Sequence, residues 1–291
     1  MSWRTVVITR TAKLDYQLGY MVVRQDSTVK IFLNEIYMLI VESTAVSLTA
    51  ALLSELSKKK IKVIFCDEKR NPSSELISYY GAHDTSLKVR NQVAWTADMK
   101  SAVWTEIVGE KIKKQAETLF ESGHAVESNM LLGYVNEMEF GDKTNREGHA
   151  AKVYFNALFG MDFTRTEDNS INAALNYGYG ILLSAFNREI VANGYITQLG
   201  LFHDNIFNQF NFGSDLMEPY RPLIDHLVAE LAPDKFEHEE KVEVLKILQQ
   251  NVHIADRIEN VSNSIKIYCK SVFDALNDRD VSLIRFYSNE L

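Results

Sequence analysis

The chain has 291 residues, enough for two domains of ordinary size, and 46% of them are hydrophobic and 24% are charged. This balance is typical of a folded globular protein and excludes an intrinsically disordered one. The net charge of −8 at pH 7 argues against a protein that simply coats nucleic acid, because an acidic chain repels phosphates at long range.

No targeting or membrane-spanning segment is predicted. The longest apolar run near the N-terminus, residues 36–41, is far too short to cross a bilayer, and the first ten residues lack the apolar core of a secretion signal. Cys66 and Cys269 are isolated, which disfavours a disulfide framework or a zinc site. We therefore expect a reduced, cytoplasmic location.

The part of the chain before residue 80 is predicted to be rich in β-strands. It contains short runs of Val, Ile, Tyr and Phe bounded by polar residues, at 3–10, 20–25, 27–33, 36–41 and 61–67. One helix is predicted at 47–60, with Ser47 as its N-cap and an apolar face formed by Leu48, Leu52, Leu53 and Leu56.

After residue 84 the hydrophobic period lengthens to that of helices. Residues 86–121 predict one long helix or two consecutive ones, and further helices are predicted at 124–138, 144–159, 170–193, 220–231, 238–250 and 261–277. The turn-like segments 71–74 and 81–84 mark the expected domain junction. The predicted fold class is therefore α+β, with a small β-rich domain over residues 1–80 and a larger all-α domain over 81–291.

Three lysine and arginine clusters are candidates for binding phosphates: Lys58, Lys59, Lys60 and Lys62; Lys111, Lys113 and Lys114; and Lys143 with Arg146. For the first two clusters, solvated helix faces are the commoner explanation. The glycines of residues 176–180 lie inside an apolar helical pattern, and we interpret them as close helix packing rather than a phosphate cradle.

Residues 199–225 contain His203, Asp215 and Glu218 within one short segment. An imidazole and two carboxylates form a mixed nitrogen and oxygen ligand set, which manganese accepts readily and of which magnesium accepts the oxygen part. Pro219 and Pro222 suit a first helical turn, so the acid pair is expected near a helix N-terminus. Seen alone, such an acid pair more often complements the helix dipole, and such a histidine more often occupies a hydrogen-bonded core position.

The order of these motifs resembles the CRISPR-associated integrase family of spacer acquisition, the "Cas one" family, in the form that accompanies single-effector systems. Three elements carry the resemblance: Asn145–Arg146–Glu147 at a helix start, Leu199 to His203, and Asp215 to Pro222. The family often has a second histidine beside the first, whereas here Phe202 and Asp204 flank His203.

The resemblance implies that Glu147, His203 and Glu218 bind Mg²⁺ or Mn²⁺ in the helical domain, with Asp215 as a catalytic neighbour that ligates or orients. Arg146 and Arg221 flank these residues and are candidates for holding DNA phosphate, although an ion pair with Asp225 explains Arg221 as well. The implied reaction is attack by the 3′-hydroxyl of a short DNA fragment on a backbone phosphate at the repeat boundary, with the metal assisting.

The resemblance also implies an assembly. The family works as a homodimer, for which we expect the β-rich domain to be the contact region, paired around a small ferredoxin-like adaptation partner ("Cas two"). The effector nuclease of the same system is a further candidate partner. Two other functions stay open: a general metal-dependent nuclease or resolvase that uses water to cleave branched DNA, and a non-catalytic DNA-binding scaffold.

Overall fold

The computed structural model describes residues 4–68, 70–78 and 82–289, and these form two compact units. The first unit comprises the described residues up to Thr85 together with Val191–Tyr195, and the second comprises Ser86–Ile190 with the described residues from Ile196 onward. The predicted boundary between residues 80 and 81 involves positions outside the described residues. No helix in the described part of the chain is both long and apolar enough to cross a membrane.

The first unit is β-rich, as predicted. Its elements are β1 (Arg4–Ile8), β2 (Ala12–Gln17), β3 (Tyr20–Arg24), β4 (Thr28–Phe32), β5 (Ile36–Val41), β6 (Val46–Leu48), α1 (Ala50–Lys58), β7 (Lys62–Cys66) and β8 (Pro72–Leu76). One sheet has the order β1-β5-β7-β8, with only β8 antiparallel to its neighbour. The other has the order β4-β3-β2-β6, with only β6 parallel to its neighbour.

The core of this unit explains its most apolar segment. All six residues of β5 are buried, because the strand lies between two parallel neighbours, where continuous apolar runs are typical. One hydrophobic cluster joins residues of both sheets, such as Leu14 and Leu39, to Leu52 and Leu56 of α1. Leu52 and Leu56 therefore form the buried face that the sequence predicted for this helix.

Two predictions in this unit were wrong at the level of boundaries. The helix predicted from Ser47 begins at Ala50, and Thr49 caps it by accepting a hydrogen bond from the Leu52 amide at 3.3 Å. Ser47 instead lies in β6. This strand pairs with β2, and neither of the two strands was predicted. The turn predicted at 71–74 is mostly strand β8, where Pro72 is tolerated because it starts an edge strand. Trp3 and Gly81, which the predictions also included, lie outside the described residues.

The second unit is largely helical, as predicted. Its elements are α2 (Thr85–Ala94, beginning at the last residue of the first unit), α3 (Ala97–Glu121), α4 (Ala125–Asn136), α5 (Arg146–Phe159), α6 (Ser170–Ala192, whose last residues belong to the first unit), α7 (Asn211–Leu216), α8 (Arg221–Leu231), α9 (His238–Leu245), β9 (Asn251–Ile254), β10 (Arg257–Asn260) and α10 (Val261–Asp278). Short 3₁₀ turns lie at Phe140–Asp142, Glu218–Tyr220, Lys246–Gln249 and Val281–Leu283.

Local chemistry accounts for the main breaks and contacts of these helices. The predicted segment 86–121 is two helices, because Thr96 caps α3 by accepting from the Met99 amide at 3.2 Å. Gly178 in α6 faces α8 so closely that a Cβ atom would lie 2.5 Å from Ile224 Cγ2, which confirms close helix packing at this glycine. The helix predicted at 238–250 ends earlier, and the β9–β10 hairpin that follows was not predicted.

Candidate active site

The first turn of α5 presents Glu147, and two polar side chains fix that turn. Asp142 accepts hydrogen bonds from the Arg146 amide at 2.7 Å and the Glu147 amide at 3.1 Å. Asn145, in the left-handed region at φ 53°, accepts from the Gly148 amide at 3.3 Å. These bonds satisfy amides that a helix start leaves unpaired. The Asn145–Arg146–Glu147 element is therefore a helix cap that holds a carboxylate in place.

His203 is held by Asp215, a completely buried residue of α7. Asp215 Oδ1 lies 2.5 Å from His203 Nδ1 and also accepts from the His203 amide at 3.1 Å. Its other oxygen accepts from the amides of Leu201 at 2.5 Å and Phe202 at 3.2 Å. The hydrogen bond to the Asp215 carboxylate raises the pKa of His203, although partial burial opposes this. Both oxygens of Asp215 are thus engaged in orienting the loop and its imidazole.

Gly200 allows the loop to wrap around this buried carboxylate. A Cβ atom at position 200 would lie 2.6 Å from Asp215 Oδ2 and 2.4 Å from the backbone oxygen of His203, closer than side-chain atoms normally approach. On the other side, the ring of Phe202 stacks on Trp104 with centroids 4.6 Å apart, and His203 packs edge-on to the same Trp104 at 5.8 Å. Residues 199–203 therefore form one tightly packed turn around the carboxylate of Asp215.

Two further side chains hold the same loop and were not identified from the sequence. Gln92 of α2, fully buried, donates to the backbone oxygens of Ile196 at 2.9 Å and Leu199 at 3.0 Å. Asn211 donates to Asn205 O at 3.0 Å and accepts from its amide at 3.3 Å. Nothing in a lone glutamine or asparagine indicates such a role. The partners of Gln92 are backbone atoms more than 100 residues away, and those of Asn211 are backbone atoms of Asn205, six residues earlier.

Glu147 and Glu218 meet around the ammonium group of Lys111. Lys111 Nζ lies 2.5 Å from Glu147 Oε1 and 2.5 Å from Glu218 Oε2. Burial opposes the charge of this lysine, but Glu218 and Glu147 outweigh it and raise the pKa of Lys111. Burial alone would raise the pKa of Glu218, yet the cations Arg221 and Lys111 lower it to about 2. Both groups are therefore charged at neutral pH.

The sequence placed Lys111 in a basic surface cluster, and the structure corrects that prediction. Lys111 and Lys114 are buried, and Lys114 donates to Glu117 at 2.8 Å and lies over the ring of Tyr287. Lys113 is half exposed and 3.6 Å from Glu110. In the first basic cluster Lys62 is likewise buried and paired with Glu75. Neither cluster is a continuous solvated face.

The two candidate arginines have partners other than those predicted. Arg221 Nε donates to Glu218 Oε1 at 2.8 Å, and its Cζ lies 4.6 Å from the centroid of the Tyr179 ring. Asp225, proposed as its ion-pair partner, instead accepts a hydrogen bond from the Tyr179 hydroxyl. Arg146 lies 2.9 Å from Glu137 and over the ring of Tyr134. Arg221 therefore orients Glu218, whereas Arg146 is directed to α4.

The donor set fits a divalent cation in its chemistry. Among the described residues, no three His, Cys, Asp or Glu side chains stand at metal-binding positions. Two carboxylates nevertheless share one positive charge, and both lie near enough to His203 to raise its pKa. Glu218 Oε2 is buried and has Lys111 Nζ as its partner at 2.5 Å, so this oxygen already lies against a positive charge. With Nδ1 held by Asp215, His203 keeps Nε2 for a ligand, as in metal sites with a carboxylate behind the histidine.

Comparison with known proteins identifies the family. The family model described as "CRISPR associated protein Cas1" matches residues 5–246, which is most of the chain. The chain belongs to the Cas1 family. A CRISPR-associated endonuclease Cas1 from Neisseria meningitidis serogroup C is 35% identical over 232 residues, which cover 79% of this chain and 76% of that protein. Nucleases of this family are in general metal-dependent.

Solved structures share the fold of this Cas1 family member. A casposase bound to its integration product has a TM-score of 0.78 at 14% identity and covers 97% of this chain and 93% of its own. A Cas1 protein from Thermotoga maritima has a TM-score of 0.73 at 16% identity, covering 94% of this chain and 97% of its own. At these identities the likeness concerns the fold, and it confirms the β-rich first part followed by a helical part.

Proposed function

We propose that this chain is the DNA integrase and endonuclease of CRISPR adaptation, which joins the 3′-hydroxyl of a short DNA fragment to a backbone phosphate at the boundary of a repeat. The observation that carries the proposal is the meeting of Glu147 and Glu218 around one positive charge, beside an imidazole that Asp215 orients. Membership of a family whose relatives are named endonucleases, and a fold shared with a casposase bound to an integration product, support it.

Glu147, His203 and Glu218 are the proposed ligands of a divalent ion, Mg²⁺ or Mn²⁺. When bound, such an ion would polarise the target phosphate and lower the pKa of the attacking hydroxyl. The chain's own residues do the remaining work: Asp215 holds His203 with Nε2 free, and Arg221 fixes Glu218. Two carboxylates suit either ion, and the imidazole favours manganese. Asp215 acts as an orienting residue, because both of its oxygens already accept hydrogen bonds.

The proposed partners follow the family. Two solved structures of similar fold are a Cas6-RT-Cas1–Cas2 complex and a partial form of that complex, with TM-scores of 0.75 and 0.66. By analogy we propose that this chain forms a homodimer, with the β-rich unit as the contact region, and that it binds a small ferredoxin-like Cas2 partner and DNA. The effector nuclease of the same system is a further candidate partner.

Strand transfer by the purified protein tests the proposal. The chain, its small partner and Mn²⁺ are incubated with a plasmid carrying a repeat array and a duplex donor that ends in either a 3′-hydroxyl or a 3′-dideoxy nucleotide. We expect branched products only with the 3′-hydroxyl donor, because the positioned donor end supplies the nucleophile at a high effective concentration. Plasmid nicking at the normal joining rate with the blocked donor would instead show that water is the ordinary nucleophile.

Two variants complete this test. Glu147→Ala removes a proposed ligand, and we expect it to abolish joining. Asp204→Asn changes an exposed acid of the loop that contains His203 and serves as the matched control, with joining retained. If Glu147→Ala joins DNA as well as the unaltered protein, Glu147 is not a ligand that the reaction needs. If neither the unaltered protein nor Asp204→Asn joins DNA, the chain is a binding scaffold and not the enzyme.

A further inference from the structure

The position of Lys111 between the two carboxylates has a consequence for the metal site. Its ammonium nitrogen is 2.5 Å from an oxygen of Glu147 and 2.5 Å from an oxygen of Glu218. Lys111 comes from α3, Glu147 from the first turn of α5, and Glu218 from the 3₁₀ turn before α8. One lysine thus joins three separate elements of the helical unit through a pair of charged contacts.

Burial makes these contacts strong. Lys111 is 8% exposed and the Glu218 side chain is 4% exposed, so little water screens the charges. Two carboxylates held this close repel each other, and a buried charge that loses its partner is strongly destabilising. Arg221 neutralises one face of Glu218, but Glu147 has no other cation within ion-pair distance among the described residues.

We propose that Lys111 is a built-in counterion of the metal site: its ammonium holds Glu147 and Glu218 together in the metal-free protein, and a divalent ion displaces it from between them. The proposal rests on the proposed function in one respect, that these two carboxylates are metal ligands. An ammonium and a metal ion cannot both lie between the same two oxygens, so each competes with the other. Lys111 is therefore a positioning residue that stabilises the empty site and weakens metal binding.

The test compares Lys111→Met with a matched control, Lys114→Met. Lys114 lies on the same helix, is 3% exposed, and also contacts two glutamates, Glu110 and Glu117, that are not proposed ligands. Mn²⁺ binding is measured by isothermal titration calorimetry, and thermal stability is measured with Mn²⁺ and with a chelator. Neither measurement requires DNA or activity.

We expect Lys111→Met to lower the melting temperature of the metal-free protein by about 5–10 °C, because the buried carboxylate of Glu218 and the partly buried one of Glu147 lose their shared cation. We expect it to bind Mn²⁺ at least about tenfold more tightly, because the competing ammonium is gone. Lys114→Met should lower the melting temperature without changing the Mn²⁺ affinity. Weaker Mn²⁺ binding by Lys111→Met, or equal changes in both variants, would overturn the proposal.

A second variant covers the case in which Lys111→Met does not fold. In the double variant Lys111→Met/Glu147→Gln only one carboxylate remains, so the repulsion is removed and we expect the metal-free protein to recover most of the lost melting temperature. No recovery would contradict the counterion role. If the unaltered protein bound no Mn²⁺ at this site, the proposed metal-dependent function would fail, while the stability of these variants would still decide what Lys111 does.

Discussion

Asp215→Asn is the substitution that most directly probes how the site is held together. Asp215 uses one oxygen for the amides of Leu201 and Phe202 and the other for the amide and ring of His203. Asparagine has the same shape but only one acceptor oxygen. If its NH₂ group faces the amides of Leu201 and Phe202, two hydrogen bonds are lost in a fully buried position. If it faces His203, the bond from the His203 amide is lost, and the ring keeps its own bond only by accepting at Nδ1, which puts the proton on Nε2.

The magnitude follows from the number and type of these bonds. A hydrogen bond to a charged group contributes about 1.5–3 kcal/mol, so losing one or two costs about 1.5–6 kcal/mol. The cost falls on the turn of residues 199–203, and so on the position of His203. Removing the carboxylate behind a ligating histidine typically weakens metal binding by about 10–100-fold. We expect a loss of that size in Mn²⁺ affinity and in strand transfer.

The pH dependence of Mn²⁺ affinity provides a second test, for which the direction of the change is predicted. Asp215 raises the pKa of His203, and metal binding requires the neutral imidazole. In the unaltered protein the Mn²⁺ affinity should therefore fall as the pH drops through this raised pKa. In Asp215→Asn the fall should move to lower pH, because the main cause of the raised pKa is gone.

Calorimetry with Mn²⁺ at several pH values and NMR titration of the His203 ring measure both effects. Asp204→Asn, which makes the same change at an exposed position of the same loop, is the control and should behave like the unaltered protein. An Asp215→Asn protein with unchanged Mn²⁺ affinity and an unchanged His203 titration would refute the reasoning.

Three further predictions follow from the same geometry. Glu147→Ala, His203→Ala and Glu218→Ala should each abolish strand transfer in Mn²⁺, and the triple variant should be no worse than any single one, because the ligands act as a unit; near-normal joining by any of them would remove it from the ligand set. Burial raises the pKa of Asp225 from 3.8 to about 6, so its contribution to stability is fully present below pH 3.8 and is lost as the pH rises through 6. Asp225→Asn should therefore shrink the fall in unfolding free energy between pH 3 and 8 by about 3 kcal/mol, measured by urea denaturation, and an unchanged fall would contradict it. Gly200→Ala should weaken Mn²⁺ binding as Asp215→Asn does, because its methyl group would displace the turn around that carboxylate; unchanged binding would show that the turn tolerates the change.

Periodicity predicted the elements whose stability comes from their own buried face. The helix 261–277 was predicted within one residue of α10, and the run at 36–41 is the central strand β5. Predictions failed where a distant partner decides the structure. Residues 46–48 are a strand because β2 lies beside them. The β9–β10 hairpin pairs strands of only four residues each, too short for an alternating pattern to be distinguished from the helical pattern around it. No local pattern contains that information.

The candidate site divides in the same way. Resemblance to family motifs singled out Glu147, His203 and Glu218, and the structure brings both glutamates to Lys111, with His203 near enough for both to raise its pKa. From the sequence, Lys111 was identified only as one of three clustered lysines. On α3, Lys111 follows the buried residues Ile107 and Val108 by four and three positions, so it lies on the same face of the helix. This spacing is the one sequence signal that indicated an inward position. That signal does not reveal the partners, which come from other helices.

Charge compensation within the site bears on the objection that an acidic chain should repel DNA. The acids Glu147, Asp215 and Glu218 lie there with the cations Lys111 and Arg221 and with the imidazole of His203. At physiological salt the Debye length is about 8 Å, so a phosphate at the site responds to these groups more than to the net charge of −8.

The net negative charge of the chain opposes the approach of DNA. Because Lys111 and Lys114 are buried, α3 offers no basic track for a duplex. We therefore expect the chain alone to bind DNA weakly, with a slope of log affinity against log salt that corresponds to few phosphates at about 0.9 each. On the hypothesis that the small partner supplies the phosphate contacts, its complex with the chain should show a much steeper slope. Equal slopes for the chain and the complex would place the DNA track on this chain, on basic residues outside α3.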